Sequence, residues 1–333
     1  MSVLATSWVV SAALAVFLVF GSTGPAAFAE EPLKIRVGMV TVASQMALEI
    51  GREKAFFAKH GFDVEIKPLT TGVQANQALA ADQVDWSAGG VESTIIAASR
   101  DLPFKPYTMY AKGGDSLGIL VRRAAGIETL RDLAGKRVAV ATGTASAQGL
   151  SQVLQSLNMP GNSVQRVNAN FSSMGPMLIQ GSVDAMVGLE PFLTLTQQQM
   201  GNDAVVLARL GKFVQGGGFF LVSNKWAMAH PEKLTEAIEA LWEAEKFVRD
   251  NPKEAADIDA KAIKADPAVV EASIKWLTFD PLLDQFTVDS LKKTSDYLNA
   301  EHIIDGPVDI DAFIGPARRI ETELKIKRPE FLR

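Results

Sequence analysis

A chain of 333 residues, 47% of them apolar, is long enough to bury a core in each of two lobes. Its formal charge of −5 includes no basic stripe, which excludes a nucleic-acid backbone as partner. Its lack of cysteine excludes disulfides, thiolate metal sites, a cysteine nucleophile and a lipid-modified cysteine.

The first 29 residues hold no charged side chain; Val9 to Phe20 is an apolar run, and Ala27-Phe28-Ala29 forms an A-x-A cleavage pattern before Glu30. Residues 1–29 therefore read as a secretory signal peptide. The run is short for a membrane span, and the missing Lys or Arg ahead of it leaves an uncleaved anchor or a different start as the alternatives. Export without a lipidated cysteine points to the periplasm of a Gram-negative cell.

Ile35 to Val40 alternates as a strand, Thr41 to Gln45 is a loop of small and polar residues, and Ala47 to Phe57 continues at helical spacing. After a glycine stop at Gly61, Phe62 to Ile66 reads as a second strand, Val73 to Ala81 as a helix and Val84 to Gly90 as a third strand. The same order returns about a hundred residues later. Arg137 to Val140 is a strand, Ala141 to Ser146 a loop, and Leu150, Val153, Leu154 and Leu157 form a helical stripe. Val164 to Val167 is the next strand, Met174 to Gln180 a short helix, and Val183 to Gly188 matches Val84 and its followers. Val84 lies 47 positions after Val37, and Val183 lies 45 after Val138.

Between the repeats, Gly118 to Arg122 is an apolar strand suited to leaving a first lobe, and Phe219 to Ser223 one suited to returning. Beyond Asn224 the chain reads as helical. Pro231, Pro252 and Pro267 fall where first turns begin, with Asn251 and Asp266 as N-caps, and the stripe Leu234, Ala237, Ile238, Leu241, Trp242 and Phe247 is expected to pack onto a lobe. The expected fold is α/β and two-lobed, each lobe a mostly parallel sheet flanked by helices, with two hinge crossings. Residues 30–118 and 223–333 form lobe 1, and residues 119–222 lobe 2.

Three loops end strands and open helices: Thr41 to Gln45, Gly89 to Thr94 and Thr142 to Ser146. Ligands of open parallel sheets bind beyond the carboxyl ends of the strands, where helix N-termini offer free N–H groups. Thr142, Gly143, Thr144 and Ser146 thus read either as ligand donors or as ordinary caps. The stretch lacks the Gly-Lys-Ser/Thr of a phosphate loop and any G-x-G-x-x-G. His60, His230 and His302 sit at turns or helix boundaries, and no metal or nucleophile signature appears, so neither metal nor cofactor is expected. Glu190-Pro191-Phe192 ends a strand at the expected cleft rim. Trp86 reads as sheet packing or, beside Gly89, as a stacking surface.

The run Ile35 to Val40, followed by Ala47-Leu48-Glu49-Ile50-Gly51-Arg52-Glu53-Lys54-Ala55-Phe56-Phe57-Ala58-Lys59-His60-Gly61-Phe62-Asp63-Val64, resembles the opening of periplasmic binding proteins of ABC importers for aliphatic sulfonates, taurine and nitrate, relatives of thiamine-precursor binders. Leu130 to Val140 is similar to that family's L-x-D-L-x-G-K-x-V-A-V segment. Gly181-Ser182-Val183-Asp184-Ala185 and Glu190-Pro191-Phe192 stand where it has G-x-V-D-A and an acidic-Pro-aromatic motif. The resemblance covers about residues 34 to 300.

The resemblance implies a type II periplasmic binding protein, a monomer that closes on a small-molecule ligand and delivers it to an inner-membrane ABC permease without catalysis. It also implies ligand contacts at Thr41, Ser44 and Gln45; at Gly90, Glu92, Ser93 and Thr94; at Thr142, Gly143, Thr144 and Ser146; and at Glu190 and Phe192. The first two loops depart from the family pattern of aromatic-Gln-Pro and of a small residue or aspartate, so the ligand transfers least. Glu92 and Glu190 in one cleft oppose a bare sulfonate. The alternatives are an enzyme on the same scaffold, akin to thiamine-pyrimidine synthases but without their cysteine-rich motif, and a sensory module.

Overall fold

The computed structural model describes residues 31–332, and the segment read as a signal peptide lies outside them. Among the described residues, no helix is long and apolar enough to cross a membrane. The chain runs β1 (Leu33–Val40), α1 (Met46–Glu53), α2 (Phe56–Lys59), β2 (Phe62–Leu69), α3 (Gly72–Ala80), β3 (Trp86–Gly90), α4 (Val91–Ala98) and β4 (Phe104–Ala111). The single helix expected over Ala47 to Phe57 is broken, because Ala55 turns left-handed (φ 58°) between α1 and α2. After a crossing come β5 (Leu117–Arg122), β6 (Arg137–Val140), α5 (Ala145–Ser156), β7 (Gln165–Asn168), α6 (Phe171–Ile179), β8 (Ala185–Leu189), α7 (Phe192–Met200) and β9 (Ala204–Arg209).

A second crossing leads to β10 (Gly218–Ser223), and helices follow: α8 (Asn224–Ala229), α9 (Pro231–Asp250), α10 (Pro252–Ile263), α11 (Pro267–Ile274), α12 (Gln285–Ala300), α13 (Ile310–Phe313) and α14 (Gly315–Lys327). Proline opens α9, α10 and α11, where its missing N–H costs no helical bond. Asp266 caps α11 by accepting from the Ala268 N–H at 2.8 Å. Asn251 stands at the cap position of α10 but makes no side-chain cap; its amide donates back to the Phe247 carbonyl at 3.3 Å.

The strands form two sheets of five, ordered β2-β1-β3-β10-β4 and β7-β6-β8-β5-β9. In each, four strands run one way and the fourth in the order runs against them. The opposed strands are β10 and β5, the two that adjoin the crossings. Phe219 to Val222, grouped with lobe 2 from the sequence, pair in the first sheet, because the chain has already crossed back at residues 210–217. Each sheet is packed on both faces. Ile35, Val37 and Met39 meet the α9 stripe of Leu234, Ile238, Leu241 and Trp242, and Phe219 and Leu221 face α12. Trp86 is core, edge-on to Trp226 at 5.3 Å.

The duplication extends to single ion pairs. Arg36 in the middle of β1 forks onto Asp85, Nε to Oδ2 at 2.9 Å and Nη2 to Oδ1 at 2.7 Å, while its N–H donates to Oδ2 at 2.9 Å. Arg137 at the start of β6 does the same to Asp184 at 3.1, 2.7 and 2.9 Å. The Val-Asp motif therefore clasps neighbouring parallel strands. Burial pushes the Asp85 carboxyl up, but hydrogen bonds and charge from Arg36 outweigh it and hold it below the usual range. Its stabilisation is full above the unfolded carboxylate pKa of about 4 and is lost as pH falls through the lower folded value. Asp85→Asn is expected to cost about 1–2 kcal/mol at neutral pH, after allowance for a guanidinium partly open to water, and the deficit should vanish in acid. Urea midpoints of both proteins across pH 2 to 7 measure this.

The two crossings lie side by side. Gly113 donates to the Gln215 carbonyl at 3.1 Å, and a side chain on Gly114 would overlap the Val214 carbonyl oxygen. The crossings thus touch backbone to backbone, with no room for a side chain at Gly114 or Gly217.

Candidate functional site

The carboxyl ends of the parallel strands in both sheets, with their loops, wall one narrow cavity of about 50 Å³. The loop after β1 contributes Ser44 and Gln45, and the start of α4 contributes Gly90, Glu92 and Ser93. From the second sheet come Thr144 and Ala145 at the start of α5, Phe171 of α6 and Leu189 of β8. Tyr110, and Ser116, Gly216 and Gly217 of the crossings, complete the polar wall; Val40 and Val42 add apolar surface.

Of the residues expected to touch a ligand, Ser44, Gln45, Gly90, Glu92, Ser93 and Thr144 thus share one wall, and the others lie outside it. Thr41 is half-buried at the end of β1. Thr94 is fully buried behind Gly89. Thr142 is exposed, its N–H donating to Asn168 at 3.1 Å, and Gly143 faces Val73 and Ile96. Phe192 opens α7 and packs into the apolar cluster behind the second sheet.

Ser146 is absent from the wall for a reason that the first half repeats. Its hydroxyl accepts from the Ala141 N–H at 3.2 Å and donates to the Val187 carbonyl at 2.7 Å, tying the end of β6 to β8. Gln45 makes the equivalent tie: Oε1 accepts from the Val40 N–H at 2.8 Å, and Nε2 donates to the Ala88 carbonyl of β3 at 3.3 Å. The longer side chain also reaches the Tyr110 hydroxyl at 3.2 Å. Thr144 caps α5, accepting from the Ser146 N–H at 3.2 Å while donating to the Ala141 carbonyl at 2.8 Å. Ser93 donates to the Gly90 carbonyl at 3.0 Å.

The expectation that Glu190 and Glu92 share the cleft is corrected. The Glu190 carboxylate is buried away from the wall, accepting from Arg209 at 2.7 Å and from the Thr194 N–H at 3.1 Å. Arg209 in turn lies 4.2 Å over the Trp276 ring. Glu92 remains the one ionisable carboxyl on the wall. Burial pushes it up to about 7, and the main-chain N–H groups of Glu92 and Ala145 offset this in part. The Ala145 contact carries it across from the first sheet's loop to the helix of the second. Tyr110 is pushed well up by burial, against its hydrogen bond from Gln45 and with the Glu92 charge adding to the rise.

Tyr110, Ser116, Phe171, Gly216 and Gly217 went unread in the sequence; the Gly-Gly pair at 113–114 and the triplet Gly216-Gly217-Gly218 were the available signal for the crossings. Among the described residues, His60, Glu239 and Glu243 bring potential metal-ligand atoms within 4.8 Å of one another, but Arg328 already pairs with both carboxylates. That group is an ion-pair cluster far from the chemistry of the cavity wall.

Residues 44–255 match the family model described as NMT1/THI5 like. A putative aliphatic sulfonates-binding protein of Bacillus subtilis is 26% identical over 297 residues, covering 87% of this chain and 88% of its own. The taurine-binding periplasmic protein of Escherichia coli is 24% identical over 221 residues, 64% of this chain and 67% of its own. The fold matches the alkanesulfonate-binding protein SsuA of Xanthomonas axonopodis pv. citri, solved with MOPS bound, with a TM-score of 0.74 at 20% identity over 87% of this chain and 99% of that one. With a two-sheet fold of the type II periplasmic binding proteins and a family match across most of both sheets, the chain belongs to the NMT1/THI5 like family.

Proposed function

We propose that the chain is the extracytoplasmic solute-binding component of an ABC import system, capturing one small polar nitrogen- or sulfur-containing molecule, of the group that includes sulfonates, taurine and nitrate. In this reading the protein works in the periplasm as a monomer and catalyses nothing. The first sheet with the C-terminal helices is one lobe, the second sheet the other, and a permease recognises the closed form. The observation that carries the reading is a cavity walled by loops of both sheets beside the two crossings.

Closure has specific contacts to make and break. The Ala43 N–H donates to the Glu190 carbonyl at 3.2 Å, Gln148 to Thr294 at 3.2 Å, and the Tyr297 hydroxyl to Ser151 at 3.1 Å, each bridging the two halves. A ligand touching both walls adds its differential affinity to these contacts and shifts the population toward closure. A true ligand at a hundred times its Kd is expected to stabilise the fold by about 2.7 kcal/mol and to reduce the radius of gyration in solution scattering. Sulfonates, amino sulfonates, nitrate and pyrimidines form the panel. If none raises the melting temperature or compacts the protein, the reading is wrong.

A further inference from the structure

The cavity wall is electrically one-sided. Glu92 is 3% exposed, and among the described residues none that lines the cavity is Lys, Arg or His. Two cations beside the crossings are already engaged: Arg209 at the end of β9 holds Glu190, and Lys112 lies 3.1 Å from both Asp280 and Asp284. Around Glu92 the other titratable groups are neutral phenols, Tyr110 from β4 and Tyr297 from α12. Val40, Val42, Phe171 and Leu189 add apolar surface to the lining. A carboxylate left in such a place without a cation is costly; an incoming positive charge lowers that cost, whereas an incoming anion adds to it.

We propose that this cavity selects a solute bearing a protonated amine or amidine, whose N–H groups pair with the Glu92 carboxylate while its apolar body lies on Phe171 and Leu189. The proposal rests on the cavity being the ligand site and narrows that reading to nitrogen cations; a bare sulfonate or nitrate is disfavoured. A zwitterion such as an amino sulfonate enters with its amino end toward Glu92. The positive charge binds the ionised carboxylate, so proton release accompanies binding wherever Glu92 is protonated. With Glu92 near 7, affinity for a cation of high pKa should rise about tenfold from pH 6 to pH 8, following the ionised fraction. An anion would show the opposite slope, since it binds the protonated form.

The test is calorimetric titration at pH 6 and pH 8 with matched probes: butylamine against butanesulfonate, benzamidine against benzoate, and taurine against ethanesulfonate. Expected is tighter binding of the nitrogen-bearing member in at least one pair, by tenfold or more, with affinity increasing toward pH 8. Glu92→Gln should lose tenfold or more for that member and abolish the pH slope, while Glu92→Asp, which keeps the charge, should retain the slope and establish that a loss in Gln is not misfolding. An anion that binds as tightly as its nitrogen counterpart, or more tightly at pH 6, overturns the cation assignment and leaves solute capture standing. Silence in both arms counts against both readings.

Discussion

Gly217→Ala is expected to lower the stability of the protein by about 3–5 kcal/mol, one of the largest losses available to a single methyl group. Gly217 has φ 81°, a left-handed conformation that costs an L-residue strain. Its Cβ would overlap the Ala111 carbonyl oxygen and crowd the Ala111 carbonyl carbon and the Lys112 Cα, at 2.8 and 3.1 Å. All three are backbone atoms of the other crossing, so no rotamer change can give way. The melting temperature should fall by about 6–12 °C in a chain of this size. Gly161→Ala is the control, since nothing lies within 4 Å of a Cβ there, and it should change stability by less than about 0.5 kcal/mol. A loss under about 1 kcal/mol at Gly217 would mean that the crossings slide apart at little cost, and that they do not act as one paired unit.

Arg209→Met should be nearly as damaging, at about 3–5 kcal/mol, because it strands a buried carboxylate. Glu190 has no exposed side-chain surface, and of its partners only Arg209 carries a charge; Thr194 offers an N–H, and the Ser273 hydroxyl sits at 3.5 Å. The substitution also strips the guanidinium from the Trp276 face. Chemical denaturation of the double variant Glu190→Gln/Arg209→Met separates these effects. Recovery of more than about 1 kcal/mol relative to Arg209→Met assigns the damage to the unpaired charge. No recovery assigns it to the lost packing on Trp276.

The fold was legible where the chain repeats itself. Val37 and Val138 hold equivalent places beside the third strand of each repeat, and Val84-Asp85 and Val183-Asp184 close equivalent clasps, so one pattern read twice specified two sheets. Less legible were the edge strands. Phe104–Ala111 carries Lys105 and Pro106, which an edge tolerates but which blunt the strand signal. The boundaries of the lobes shifted because β5 and β10 are both apolar runs; which sheet each joins depends on pairing partners distant in sequence.

The site divided along a similar line. Loop position announced Ser44, Glu92 and Thr144, since helix-opening residues beyond parallel strands face a common cleft. Direction within a loop was not announced. Thr142 and Thr144 differ by two residues, yet one is exposed on the far side and the other caps a helix at the wall. The pairing of Glu190 with Arg209 joins residues 19 apart across a helix and a strand, and no local pattern encodes it. Tyr110 reaches the wall from β4, whose strand character was itself unread.

The twin ties of Gln45 and Ser146 divide labour in a way that bears on how such a molecule changes its diet. Because both side chains are committed to strand ends, altering them loosens the frame before it alters recognition. Among the described residues, Ser44 and Phe171 stand on the wall without a side-chain tie of this kind, and Glu92 reaches only main-chain N–H groups at helix starts. New appetites can therefore be acquired at a handful of replaceable fittings, leaving the chassis that carries them untouched.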